Sequence, residues 1–165
     1  RGNNRYRTQP IRRNPHYRYP NRRRLVRTLP IHHVRVVYRG LPYFYYSGIY
    51  YSLYGDQYIV VMPPRGFRIS VLPVGFVSVV VGPSLYYYHS GVYYVENSTS
   101  IEGEGQYEVT QPPVGVRVDV ISNESEEIFI DGKTFYDYND VLYKKVMDSQ
   151  GNTTYEVVYS KSNNE

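Results

Sequence analysis

The chain has 165 residues, of which 22 are tyrosine and none is cysteine or tryptophan, and its formal net charge is +4. The absence of cysteine excludes a disulfide framework and a thiolate metal site. The longest apolar run, residues 69–81, is broken by Ser70, Pro73, Gly75 and Ser78 and is too short to cross a bilayer as a helix; the length fits one compact domain, or two small ones, plus a tail.

Charge is polarised along the chain. Residues 1–40 carry 12 arginines and no acid, whereas residues 95–165 carry 14 acidic against 5 basic residues. Residues 1–28 hold Arg, Asn, Pro, Tyr and Gln with little aliphatic content. Such a segment cannot bury enough apolar surface to offset its ordering entropy, so it reads as a basic extended or disordered arm. Arg12, Arg13, Arg18, Arg22, Arg23 and Arg24, interleaved with Tyr6, Tyr17 and Tyr19, are its candidate binding residues. Arginine pairs bidentately with phosphate and tyrosine stacks on flat rings. The arm fits an envelope polyanion, an acidic partner protein or the acidic end of a neighbouring copy, or else a solvated linker. Nucleic acid is the least favoured partner because the rest of the chain grows steadily more acidic. Beginning at Arg1 with no apolar leader, the sequence reads as a mature product whose signal segment has been removed.

Beyond the arm the sequence repeats itself. Leu29 and Pro30 return as Leu72 and Pro73, 43 residues later, and the run from Tyr43 to Tyr51 returns from Tyr86 to Tyr94. The run from Tyr58 to Gly66 returns from Tyr107 to Gly115 at a spacing of 49, the extra residues falling in a polar insertion at 97–106. A degraded third copy places Phe135 to Tyr143 on Tyr86 to Tyr94. The units are then 29–71, 72–120 and 121–158, with a polar tail at 159–165. Repetition in this range marks a duplicated supersecondary unit whose copies stack, with atypical terminal units.

Each unit reads as β-structure. Runs of strand formers, such as Val34 to Tyr38, Gln57 to Met62, Val77 to Val81, Tyr107 to Thr110 and Tyr155 to Tyr159, are bounded by Gly, Pro, Asn and Asp. Ser47 and Gly48, Ser90 and Gly91, and Asn139 and Asp140 occupy equivalent turns; Asp131 and Gly132 make a further hairpin signal. Pro64 to Gly66, Pro73 to Gly75 and Pro113 to Gly115 share a Pro-x-Gly pattern that suits a type I turn with Pro second and Gly fourth. The expected fold is all-β, two to three tandem antiparallel hairpin units of about four strands each, as small sheets or a barrel-like body. Alternation makes both faces of each unit aromatic. One reading buries both between neighbouring units. The sharper one leaves Tyr43, Tyr45, Tyr86, Tyr88 and Tyr93 as an aromatic platform for a ligand.

No catalytic constellation emerges. His16, His32, His33 and His89 lack metal-ligand spacing and have no carboxylate beside them in sequence. Glu102 and Glu104, and Asp137 with Asp140, do not follow the order of a calcium loop. No cofactor or metal is expected. Asn97, Asn123 and Asn152 head glycosylation sequons that are equally ordinary turn composition.

The alternating signature carried by Tyr86 to Tyr94, Tyr58 to Gly66 and Leu72 to Gly75 resembles a family of small exported bacterial proteins of unknown function, with an Arg-rich stretch ahead of Tyr/Val/Gly repeats. The resemblance spans about residues 29–120 and weakens where Ser122, Asp140 and Leu142 replace the motif's Pro, Gly and Tyr. It implies an envelope location, in the periplasm or at the cell surface, and supplies no site residues. The expectation is a non-enzymatic envelope accessory or scaffold subunit that joins a larger assembly through its arm and β surfaces. A glycan- or peptidoglycan-binding module using exposed tyrosines, and a tyrosine-rich adhesive matrix protein, are the alternatives.

Overall fold

A computed structural model describes residues 6–7, 24–97 and 105–160. Among them there is no helix, and every strand pairing is antiparallel. The strands are β1 (Tyr6–Arg7), β2 (Leu25–Val26), β3 (Val34–Tyr38), β4 (Leu41–Tyr46), β5 (Ile49–Tyr54), β6 (Gln57–Val61), β7 (Arg68–Ile69) and β8 (Val77–Val81). They continue as β9 (Ser84–His89), β10 (Val92–Glu96), β11 (Tyr107–Thr110), β12 (Arg117–Val118), β13 (Glu126–Ile130), β14 (Lys133–Tyr138), β15 (Val141–Met147) and β16 (Thr153–Ser160).

Three open sheets result. The first runs β2-β6-β5-β4-β3, the second β7-β11-β10-β9-β8, and the third β12-β16-β15-β14-β13 with β1 added at its end. Each is a four-stranded meander whose last strand is joined by a two-residue strand that precedes the meander in sequence. The short strands start at residues 25, 68 and 117, and so keep the 43- and 49-residue offsets of the sequence. None of the sheets closes, which rules out the barrel-like body. The fifth strand was hidden because two residues carry no periodicity. Leu25 and Val26 pair with Ile59 and Tyr58, so the first sheet begins inside the segment assigned to the arm. Tyr159 and Ser160 end β16, so the body reaches past 158.

Local sequence explains the hairpins. Positive φ at both central residues of Arg39 and Gly40, Ser47 and Gly48, Ser90 and Gly91, Asp131 and Gly132, and Asn139 and Asp140 matches the twist that two-residue hairpins require. The Pro-x-Gly turns are one place out from the expectation. Phe67 N–H donates to Pro64 O, and Phe76 N–H to Pro73 O, both at 3.2 Å, which makes the proline the first residue and the glycine the third. Gly66 and Gly75, at φ +95° and +94°, then have the third-position geometry of a type II turn.

The sheets stack through aromatic faces. The first and second enclose a core of Tyr50, Phe67, Ile69, Val92, Tyr94 and Val109. Between the second and third lie Val79, Tyr88, Tyr93, Val116, Val118, Tyr136, Tyr138, Tyr143 and Val157. Met62 touches both cores. Fully burying a large apolar side chain stabilises by roughly 1.5–3 kcal/mol, so these layers dominate cohesion. Phe44, Tyr51 and Val60 form a smaller cluster on the outward face of the first sheet.

Candidate interaction surface: tyrosine faces and sheet edges

Alternation along each strand assigns the tyrosines to faces. Tyr43, Tyr45 and Tyr50 share one face of the first sheet; Tyr86, Tyr88 and Tyr93 share the equivalent face of the second. Both faces are turned towards the following sheet. Tyr88 and Tyr93 are each 2% exposed. They therefore have no ring face to offer a sugar, and the platform reading fails at these two residues. Tyr43, Tyr45 and Tyr86 are half-buried and pack against the same cores. On the third sheet this face has no sheet beyond it among the described residues. There the corresponding residues are Phe135, Asp137 and Leu142, beside an Arg117–Glu156 ion pair at 3.0 Å. The three tyrosines of the covered faces are thus replaced by Phe135, Asp137 and Leu142, with the exposed Tyr159 opposite Leu142.

The phenol oxygens are satisfied across layers. Tyr50 and Tyr94 share a hydroxyl–hydroxyl hydrogen bond of 2.7 Å, and Tyr93 and Tyr143 one of 2.6 Å. Tyr50 and Tyr93 are equivalent, as are Tyr94 and Tyr143, so one contact is built twice. Burial pushes the Tyr143 phenol well above its usual range, and the bond to Tyr93 only partly opposes this. Tyr88 OH reaches Val120 O, and Tyr138 OH reaches the Met62 sulfur. The hairpin tips seat on the next layer as well. A Cβ on Gly48 would lie 2.5 Å from the His89 ring, and one on Gly91 2.6 Å from Tyr138. The equivalent residue of the third sheet, Asp140, is exposed and needs no such clearance. The sequence marks the three turns as equivalent; the clearance needed at Gly48 and Gly91 comes from the layer each one meets.

Two grooves recur at equivalent places. One of about 510 Å³ lies between β3 and the β7 segment, lined by Val34, Val36, Tyr45, Arg68, Ile69 and Val71. The other, of about 310 Å³, lies between β8 and the β12 segment, lined by Val77, Val79, Tyr88, Arg117, Val118 and Val120. In each, the first strand of one meander faces the short edge strand of the next sheet. Arg68 is held by Glu108 at 3.4 Å.

Arg12, Arg13, Arg18, Arg22 and Arg23 lie outside the described residues. Arg24 is exposed, but its carbonyl accepts the Val60 N–H at 2.9 Å, which ties it to the first sheet. Burial raises the Tyr51 phenol, and the nearby Arg24 charge works against the shift. The β1 strand pairs antiparallel with β13, setting Tyr6 opposite Ile128 and Arg7 opposite Glu127. From sequence, the acidic end of a neighbouring copy is one of several partners for the arm; here β1 pairs with β13 of its own chain. Among the described residues no cluster of His, Asp and Glu could hold a metal ion, and no helix is long and apolar enough to cross a membrane.

Fold and surface together define a small all-β protein of stacked open sheets, cemented by buried tyrosines and bounded by strand edges. The chain belongs to a family of unknown function, DUF6515, whose model matches residues 3–161. No curated protein and no solved structure matches it.

Proposed function

We propose that this protein is a non-enzymatic accessory or scaffold subunit of a bacterial cell-envelope assembly, exported and peripheral to the membrane. The observation that carries the reading is the burial of the tyrosine faces between layers, with strand edges left at the surface. A glycan binder would spend those rings on a ligand; a scaffold spends them on its own cohesion and offers edges to partners. The pairing of β1 with the acidic start of β13 supports an arm that engages strand edges carrying carboxylates. The Arg-rich segment before residue 24 then supplies attraction to an acidic partner, and the sheets supply a rigid mount.

The test compares the full chain with a version starting at Arg24, which keeps β2 in place. Both are tagged, expressed in the native host, and recovered from mildly solubilised envelopes for mass spectrometry. Stoichiometric recovery of an envelope complex with the full chain, and its loss with the shortened one, is the expected result. Recovery of the full chain alone, or its retention in the cytoplasm, overturns the reading.

A further inference from the structure

Each meander opens with a strand whose outer side has no partner in that meander: β3, β8 and β13. The three differ in charge. β13 begins with Glu126 and Glu127 and is met by β1 with Arg7. β3 carries Arg35, and Arg39 follows it. β8 is Val77, Ser78, Val79, Val80 and Val81, with no charge at any position. Natural edge strands are usually blunted by lysine, proline or a bulge. β8 has none of these within it, and its Val80 is 67% exposed.

The ladder fixes which backbone groups face outward. Gly82 and Pro83 form a two-residue turn that closes on Val81 opposite Ser84. The closing pair of such a hairpin is hydrogen-bonded, and bonded pairs alternate along it. Val77, Val79 and Val81 therefore bond to β9, while Ser78 and Val80 direct their N–H and C=O groups away from the sheet. Val79 lies midway between them. A two-fold axis at Val79 sets Ser78 of one copy opposite Val80 of the other, and the reverse. Every outward group of Ser78 and Val80 then finds a partner.

We propose that β8 is a homodimerisation edge, pairing antiparallel with β8 of a second copy about a two-fold axis at Val79 and joining two five-stranded sheets into one. Charge selects this occupant. A basic strand such as β1 meets no carboxylate on β8, and the equivalent self-pairing at β3, about Val36, would place the two Arg35 side chains as diagonal like-charged neighbours on one face. A neutral edge matches a neutral strand, and β8 is one. The incoming Val77 and Val79 side chains fall on the side of the 310 Å³ groove, which Val118 and Val120 line. This edge is separate from the arm, so it can fail without the scaffold reading failing.

The experiment is sedimentation velocity on the full chain from low micromolar to near millimolar concentration, with circular dichroism on every variant. The native chain should show a concentration-dependent dimer. Ser78→Pro removes an outward donor and spares the β9 ladder; Val80→Lys places a charge at the edge. Both should remain monomeric with native spectra, and Val37→Lys on the β3 edge should still dimerise. The chain has no cysteine. Val79→Cys should therefore oxidise to a disulfide dimer, since residues opposite each other in a non-bonded antiparallel pair have Cα atoms about 4.5 Å apart, within disulfide reach. Val80→Cys should not. A native chain that stays monomeric throughout, a dimer abolished by Val37→Lys or by starting the chain at Arg24, or equal cross-linking at positions 79 and 80 would overturn the proposal.

Discussion

Replacing Tyr93 by phenylalanine removes one oxygen and strands another. Tyr143 is 1% exposed, and its hydroxyl is 2.6 Å from that of Tyr93. Leaving a buried polar group without its partner costs about 1–3 kcal/mol, whereas the net gain of an ordinary hydrogen bond is nearer 1 kcal/mol. Tyr93→Phe should therefore destabilise by about 2 kcal/mol. For a domain of this size that lowers Tm by roughly 4–8 °C, at about 2–4 °C per kcal/mol. Adding Tyr143→Phe removes the stranded oxygen, so the double variant should be no less stable than Tyr93→Phe alone. The measurement is a double-mutant cycle from urea unfolding, with the midpoint and slope fitted for each variant. A Tyr93→Phe cost below about 0.5 kcal/mol, or strict additivity of the two changes, would show that the layers are held by ring burial alone.

Three further outcomes follow from the same geometry. Gly48→Ala and Gly91→Ala should each cost more than Gly40→Ala in thermal unfolding. All three glycines have positive φ, but only the first two would drive a Cβ into the next layer, while Gly40 has open space around it. His32 has φ +74° at the position that Gly75 occupies in the second sheet, and is exposed. Because a left-handed conformation costs a side-chain-bearing residue roughly 1–2 kcal/mol, His32→Gly should raise Tm. Alkali should unfold the protein. The phenols of Tyr45, Tyr136, Tyr143 and Tyr155 are raised chiefly by burial. Above a pH of about 10 the unfolded chain loses phenolic protons that the folded one keeps, so stability falls as pH rises. Absorbance at the phenolate band should follow the loss of β signal in circular dichroism; buried phenols that titrate freely in a folded protein would contradict the layered core.

The strands and their turns were legible because their signals are local. Short runs of strand formers bounded by turn residues, and residues tolerant of positive φ at 47–48, 90–91, 131–132 and 139–140, mark hairpins without reference to anything distant. The short strands were invisible because two residues carry no periodicity, and the Pro-x-Gly turns were misread because the acceptor is the proline's own carbonyl. The tyrosine platform could not be settled from sequence. Alternation says that Tyr86 and Tyr88 share a face, but only the layer order says that the face is covered. The degraded third unit becomes intelligible once the order is known. Phe135, Asp137, Leu142 and Asp140 stand where no further sheet is present among the described residues.

Asp137 carries that argument furthest. Tyr45 and Tyr88 hold the equivalent position in the first two sheets, within reach of a following layer. Here the residue is a carboxylate, raised above its usual pKa by partial burial first and by the charges of Glu126 and Asp140 second. A carboxyl raised in the folded state favours folding while protonated and costs stability as pH climbs through the shifted range. This acidic cluster is therefore carried at a cost at neutral pH, and Asp137→Asn should make the protein more stable there while leaving it unchanged at pH values below the carboxylate range. The same charge would oppose another layer. A fourth tyrosine-faced sheet docking here would have to desolvate Glu126, Asp137 and Asp140 together, without a basic partner among its aromatic residues. An uncharged variant at position 137 that gains stability at neutral pH and also begins to associate through this face would separate the two effects. A variant whose stability does not change would remove the electrostatic account of why the stack ends at the third sheet.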